Sequence, residues 1–220
     1  MNQPIHTAPK RFNPNFIMGS LLTAVLGLFL VFYSSLVGKI PFFLLLNNDL
    51  GKTADFFFEY WTNLGDGVVW IPALLLVYFF RRNKLPLLVA VFLISTFFTQ
   101  LCKYYIFPAE PRPIKAIPDI TQIHTVPGVE MHTIYSFPSG HTATAFCIFL
   151  MTTLLIGSPW VLFAGFAYAV SVGYSRIYLG QHFPLDVGGG MLIAILTVYL
   201  SQLIQLRWDN RSLPKKAADV

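Results

Sequence analysis

Side chains able to do chemistry are grouped at three places in a sequence of 220 residues, of which only 11% are charged. The groups are Lys103 with Arg112; Ser139, Gly140 and His141; and Arg176, His182 and Asp186. Ionisable side chains are costly in a strongly apolar chain, so their presence indicates a functional role. The types and spacing of these residues predict which reaction they support.

The histidine and the aspartate of the third group are four residues apart, His182 and Asp186. At this spacing across the start of a helix, the carboxylate can accept the Nδ1 proton of the imidazole and leave Nε2 free as a nucleophile. His141 comes from a different part of the chain and is therefore predicted to be the general acid that protonates a leaving oxygen.

Positive charge and backbone amides complete the set. Arg112 and Arg176 carry forked donors that match phosphate oxygens, and Lys103 adds a third permanent charge. Ser139 and Gly140 precede a predicted helix, where free amides and the helix dipole favour an anion. The combination predicts a phosphate site and phosphoryl transfer through a phosphohistidine.

Other residues of reactive type have a simpler structural interpretation. Isolated histidines are predicted to be hydrogen-bonded surface groups: His6, His124 and His132. Lysines near the ends of apolar runs are predicted to extend to the membrane interface: Lys39, Lys52 and Lys115. We expect Glu110 to be a solvated loop charge and the glycine run at 188–190 to allow close helix packing. Simple helix capping is an alternative role for Ser139.

The elements that position these residues are predicted to be membrane-spanning helices. Hydrophobic residues make up 55% of the chain, and the charged fraction is far below the roughly 25% of soluble domains. We therefore predict an all-α, polytopic membrane protein with one integral membrane domain over residues 1–220. Two cysteines exclude a disulfide-rich scaffold and a multi-cysteine metal site.

Uncharged runs predict six transmembrane helices, with the core bundle formed by the later ones. Spans are expected at residues 16–38, 61–80, 86–103 and 186–206, and the run 142–175 holds two more joined at residues 157–159. The run 40–46 is too short to cross a bilayer and is predicted to be interfacial.

The distribution of charge predicts the orientation. Six spans place both termini on one side, which carries nine basic residues and two acids, whereas the other side carries six and eight. By the positive-inside rule both termini are cytoplasmic in an inner or plasma membrane, and the three reactive groups face the extracytoplasmic side. The net charge of +5 therefore reflects orientation and does not indicate a nucleic-acid partner.

The second and third groups resemble signature motifs of the type-2 phosphatidic acid phosphatase superfamily. The matching residues are Pro138-Ser139-Gly140-His141, and Ser175-Arg176 followed by His182 and Asp186. The resemblance covers residues 103–186 and implies six spans and no metal or other cofactor. It also implies that His182 is the nucleophile, Asp186 its orienting residue and His141 the acid, with phosphate held by Lys103, Arg112, Ser139, Gly140 and Arg176.

The first group departs from the family's pattern. The family places six residues between its lysine and its Arg-Pro pair, but eight separate Lys103 from Arg112, and Tyr105 stands where six would put the lysine. We expect a two-residue insertion near residues 107–109, where Pro108 favours a loop, or a displaced lysine.

A phosphate presented at the membrane edge while its chain stays in the bilayer is a lipid phosphate. The predicted partners are therefore a lipid phosphate substrate and membrane lipids, and the predicted enzyme is a metal-independent lipid phosphate or diphosphate phosphatase. Phosphatidylglycerophosphate, phosphatidic acid, a polyprenyl diphosphate and a phosphorylated glycolipid all fit. Two alternatives are a lipid phosphotransferase that uses the same histidine and a non-catalytic, anion-binding transporter.

Overall fold

The structure, a computed structural model, describes residues 12–211, which contain nine α-helices and no β-strand. The helices are α1 Pro14–Val37, α2 Lys39–Leu46, α3 Lys52–Trp61, α4 Trp70–Phe80, α5 Leu85–Leu101, α6 Pro113–Ala116, α7 Gly140–Leu155, α8 Pro159–Tyr178 and α9 Pro184–Arg211. The prediction of an all-α protein with several apolar helices is confirmed. His6 and the basic residues Lys10, Arg11, Lys215 and Lys216 lie outside the described residues.

Three helical stretches are long and apolar enough to cross a membrane: Pro14–Val37, Arg82–Ile106 and Pro184–Arg211. A fourth is possible if Lys52–Gly65 and Gly67–Phe80, which meet at an angle of 56°, form one span. Helices α7 and α8 are separated at the predicted residues 157–159. The total of six spans stays a prediction.

The second predicted span differs from its expected form. Helix α3 begins at Lys52, well before Trp61, and the chain bends at Asp66 instead of continuing as one helix. The Asp66 carboxylate accepts a hydrogen bond from the Val68 amide at 3.1 Å and thereby caps a new turn. A capping side chain inside an apolar run therefore divides it into two helices.

Large apolar side chains lie on the outside of the bundle and small or polar ones inside. Phe80 and Trp160 are 76% and 83% exposed, whereas Thr23, Ser201 and Gln205 are fully buried. This arrangement is typical of helices that face lipid, because lipid solvates apolar surface while small and polar residues let helices approach closely.

Helix α9 is the centre of the bundle and packs against α1, α5 and α7. A Cβ atom at Gly188 would lie 2.7 Å from the Gly27 carbonyl oxygen, and one at Gly190 would lie 2.7 Å from the Ser139 carbonyl oxygen. No side chain fits in these gaps. The prediction that the glycine run allows close packing is confirmed.

Polar contacts gather four helix ends at one edge of the bundle. The side chain of Asn13 caps the start of α1 and donates to the Thr153 and Leu154 carbonyls near the end of α7. Gln205, near the end of α9, accepts from the Leu87 amide at the start of α5. The end of α5 and the starts of α7 and α9, which carry the reactive groups, therefore lie at the opposite edge.

Replacing Gly188 with alanine should destabilise the bundle. The added methyl group meets backbone of α1, which cannot move aside as a side chain can, and overpacking of this kind costs about 1–3 kcal/mol. We expect a lower melting temperature in detergent for Gly188→Ala. Gly157→Ala is the matched control, since a Cβ there meets no atom within 4 Å; equal melting temperatures for the two variants would contradict the packing interpretation.

Candidate active site

The three reactive groups meet at the edge of the bundle opposite Asn13. Lys103 lies just after α5, the second group starts α7, Arg176 lies near the end of α8, and the short loop before α9 holds His182. Four of these side chains are almost completely buried: Arg112, Arg176, His182 and Asp186. Buried ionisable groups collected from three helix ends, the starts of α6 and α9 and the end of α8, are typical of a reaction centre.

His182 and Asp186 face each other as their spacing predicts. The imidazole Nδ1 lies 3.4 Å from the carboxylate Oδ2 of Asp186. The same oxygen accepts hydrogen bonds from the Ser136 hydroxyl and from the Phe183 amide, the latter at 2.9 Å. Two fixed donors thus hold the carboxylate beside the ring, and the Arg176 carbonyl holds the His182 amide at 3.0 Å.

The surroundings of His182 favour its neutral form. Burial lowers the pKa of the imidazole well below its ordinary value, and the charges of Arg112, Arg176 and Lys103 lower it further. A neutral imidazole retains the lone pair that a nucleophile requires.

Both arginines are held by neutral oxygen atoms. Arg176 donates from Nη1 to the Thr62 hydroxyl at 2.6 Å, and its buried Nε has no hydrogen-bond partner among the described residues. Arg112 donates from Nε to the Ile134 carbonyl at 3.0 Å and from Nη1 to the backbone and side-chain oxygens of Gln181 at 3.2 Å. These contacts fix each guanidinium without neutralising it.

The extra residues of the first group are accommodated by two local irregularities. Residues Cys102–Ile106, which include Lys103, form a π-helical turn closed by a 2.8 Å bond from the Phe107 amide to the Cys102 carbonyl. Ala109 then adopts a left-handed conformation with φ of 59°. A π-turn absorbs an extra residue within a helix, so part of the insertion lies earlier than residues 107–109. Lys103 and Arg112 line one cavity of about 400 Å³.

The second group forms the start of α7. Ser139 is the capping residue, and its hydroxyl accepts from the Thr142 hydroxyl at 2.9 Å. Its amide donates to the Asp186 carbonyl at 3.0 Å, which joins the starts of α7 and α9. A Cβ atom at Gly140 would meet open space, so the first turn of α7 has room beside it. His141 points Nε2 towards Asp66, 3.6 Å from its Oδ2.

Several residues around this site escaped the sequence analysis. Ser136 and Gln181 have no periodic signal and become visible only through their contacts with Asp186 and Arg112. Thr62 and Asp66 belong to the bend before α4, far from the motifs in sequence. An acid within an apolar run is a recognisable signal, so Asp66 could have been found.

Glu110 is not the solvated loop charge that we expected. It forms an ion pair with Lys39, whose ammonium group also lies 4.9 Å from the centre of the Phe183 ring. Lys39 therefore does not simply extend to the interface, because the fold brings the start of α2 against the loop that carries Arg112. Lys39 and Glu110 are 71 residues apart, so the sequence gives no local signal of this ion pair.

The histidines predicted to be structural are hydrogen-bonded or exposed. His124 pairs with Asp55 at 3.0 Å, and the Tyr178 hydroxyl donates to the same carboxylate at 2.6 Å. His132 is more than half exposed, with Glu130 3.8 Å away. The pair formed by His124 lies away from the three reactive groups, whereas His132 lines the cavity that Lys103 and Arg112 also line.

Known proteins share both the sequence pattern and the fold. The family model described as PAP2 superfamily matches residues 83–209. The chain is 32% identical over 190 residues to a protein of Sulfolobus acidocaldarius named undecaprenyl-diphosphatase, covering 82% of this chain and 88% of that protein. A protein of Bacteroides thetaiotaomicron named lipid A 4'-phosphatase is 27% identical over 62% of this chain and 65% of its own length.

A solved structure has a similar sequence and a similar fold. LpxE from Aquifex aeolicus is 35% identical and superposes with a TM-score of 0.61, covering 75% of this chain and 92% of its own. The family match spans more than half of the chain and contains the residues at which the three reactive groups meet. The chain belongs to the PAP2 superfamily.

Proposed function

We propose that this protein hydrolyses the phosphate monoester or diphosphate of a membrane lipid through a phosphohistidine at His182. The observation that carries the proposal is the buried His182–Asp186 pair beside two buried arginines that donate hydrogen bonds to neutral oxygens within the described residues. The membership of the PAP2 superfamily supports the class of reaction.

In the first step, Nε2 of His182 attacks phosphorus while the bond from phosphorus to the leaving oxygen breaks. The carboxylate of Asp186 accepts a hydrogen bond from Nδ1–H, stays ionised and stabilises the positive charge that develops on the ring. His141 donates a proton to the leaving oxygen. In the second step water attacks phosphorus and gives a proton to His141 while the bond from phosphorus to Nε2 of His182 breaks, which releases phosphate and restores both residues.

Positive charge in this mechanism comes from the chain. Lys103, Arg112 and Arg176 bind the phosphate oxygens, together with the backbone amide of Gly140 at the start of α7. Ser139, whose own amide donates to the Asp186 carbonyl, caps and positions that turn. Charge that develops on the transferring group is stabilised by these fixed donors. We therefore propose a hydrolysis that needs no metal ion.

The membrane position of the site supports a lipid substrate. Helix α7 has 16 residues and is about 24 Å long, shorter than a hydrocarbon core of about 30 Å. A phosphate bound at its first turn lies at or below the headgroups while its apolar chain stays in the bilayer. Relatives named for undecaprenyl diphosphate, lipid A and phosphatidylglycerophosphate support the same class.

We propose that the site faces the extracytoplasmic side of an inner or plasma membrane. Arg81, Arg82 and Lys84 lie between α4 and α5, at the edge opposite the site. Basic residues next to apolar helices favour the cytoplasmic side.

Replacing His182 with alanine should abolish phosphate release from a panel of lipid mono- and diphosphates, by more than about 10³-fold. The variant loses the nucleophile, so no acid-labile phosphoryl label should remain on the protein after a single turnover. His124→Gln is the matched control, because its amide can still pair with Asp55 away from the site. Retained turnover in a folded His182→Ala variant would contradict the proposal, and label transferred to an added acceptor lipid would indicate a phosphotransferase.

Removal of divalent metals should leave hydrolysis unchanged. The three cationic side chains do the work that a metal does in other phosphatases, and vanadate, which adopts the geometry of the transition state, should inhibit. The measurement is the rate of phosphate release before and after dialysis against a chelator. A loss of activity that added metal restores would contradict the metal-independent mechanism.

Impermeant cysteine labelling tests the orientation. In a Cys102→Ser background the remaining Cys147 is fully buried, so an introduced cysteine is the reactive one. We expect a membrane-impermeant maleimide to label Thr125→Cys in sealed right-side-out membranes and to label Asn83→Cys only after permeabilisation. The reverse pattern would place the site on the cytoplasmic side.

A further inference from the structure

The bend between α3 and α4 lies against the candidate site and carries an acid inside an apolar part of the chain. Residues Thr62–Gly65 form a single turn, and Asp66 follows it. This segment lies outside residues 83–209, which match the family model. A charge inside an apolar run of a membrane protein indicates a function unless a structural partner explains it.

The turn is anchored firmly on α8. The Tyr168 hydroxyl donates to the Leu64 carbonyl at 2.6 Å, and the Trp61 indole donates to the Ser171 hydroxyl at 2.8 Å. Arg176, one turn further along α8, donates to Thr62. These three contacts from one helix fix the position of the turn.

The same turn presses against the start of α7. A Cβ atom at Gly65 would lie 2.8 Å from the His141 carbonyl oxygen and 2.6 Å from a side-chain carbon of Val172. Only glycine allows this approach. It brings the carboxylate of Asp66 to 3.6 Å from Nε2 of His141, while the other carboxylate oxygen caps the Val68 amide.

His141 needs such a partner because burial and nearby cations both disfavour its charged form. Burial lowers the pKa of its imidazole, and the charges of Arg176, Lys103, Arg112 and His132 lower it further. A histidine in this field tends to lose its proton, yet a general acid must carry one. In the part of the chain that the structure describes, Asp66 is the acid within ion-pair distance of His141.

We propose that Asp66 is a positioning residue that keeps His141 protonated and fixes its ring, an inference that rests on the proposed phosphatase function. The carboxylate pairs with Nε2–H, so Nδ1–H is the group that protonates the leaving oxygen. After that transfer the neutral ring keeps its Nε2 proton, and Nδ1 is free to take a proton from the attacking water. Asp66 touches no reacting atom and remains a carboxylate throughout.

The decisive measurement is the pH profile of turnover of dodecyl phosphate by Asp66→Asn. The alkaline limb reports loss of the proton from His141, and removal of a carboxylate at this distance should move it to lower pH by about one unit. At neutral pH kcat should fall about 10-fold with little change in KM. The acid limb, set by His182, should not move. Glu59→Gln is the matched control. It also removes one negative charge, from nearby α3, and should leave the pH profile unchanged.

The leaving group provides a second readout that a merely structural role would not affect. A general acid matters most for the basic oxygen of an alkyl phosphate and little for para-nitrophenyl phosphate. Asp66→Asn should therefore slow dodecyl phosphate hydrolysis much more than para-nitrophenyl phosphate hydrolysis. Asp66→Ser, which can still cap the Val68 amide, should behave like Asp66→Asn, and Asp66→Glu should restore part of the rate.

The outcomes separate this inference from the function on which it rests. Wild-type protein that hydrolyses neither probe, or an active His182→Ala variant, would contradict the phosphatase proposal itself. An inactive His182→Ala variant, together with an alkaline limb of the pH profile that is unshifted in Asp66→Asn and in Asp66→Ser, would overturn only the role of Asp66. An equal loss on both probes with a lower melting temperature would make Asp66 a structural residue and would also overturn it.

Discussion

Two guanidinium groups buried at one end of an apolar helix bundle constrain everything around them. Arg112 and Arg176 are 7% and 6% exposed, and a buried charge requires partners. Their partners are neutral oxygens from a loop, from Gln181 and from Thr62. Neutral acceptors satisfy the donors without cancelling the charge. A strong positive field therefore remains for an anion, and phosphate is the anion whose geometry suits two arginine forks.

The same field places opposite demands on the two histidines of the proposed mechanism. His182 must be neutral to attack phosphorus, and burial among cations favours that state. His141 must carry a proton, which the field opposes. The surroundings of the two rings differ accordingly. The carboxylate beside His182 is itself held by Ser136 and Phe183, whereas Asp66 beside His141 stands at the bend of an apolar segment and is half exposed.

Local spacing predicts which candidate residues come together but not what holds them. The four-residue separation of His182 and Asp186 predicts their proximity because His182 lies just before α9 and Asp186 in its first turn. The uncharged runs predict the helices for the same local reason, and the separation of α7 from α8 follows from residues 157–159. The bend at Asp66 was missed, since hydropathy averages over a capping residue. The pairs Lys39–Glu110 and Thr62–Arg176 were missed because each joins segments far apart in sequence.

This division between local and remote information has a physical basis. Which atoms can react depends on side-chain type and short spacing, so motifs between residues 103 and 186 are enough to predict them. Whether those atoms hold the required proton depends on the charges and burial around them, which distant segments supply. The bend before α4 contributes Thr62 to Arg176 and Asp66 to His141, although it precedes the whole family match. A relative could therefore keep every motif residue and still differ in the protonation of its acid, through a change at this bend alone.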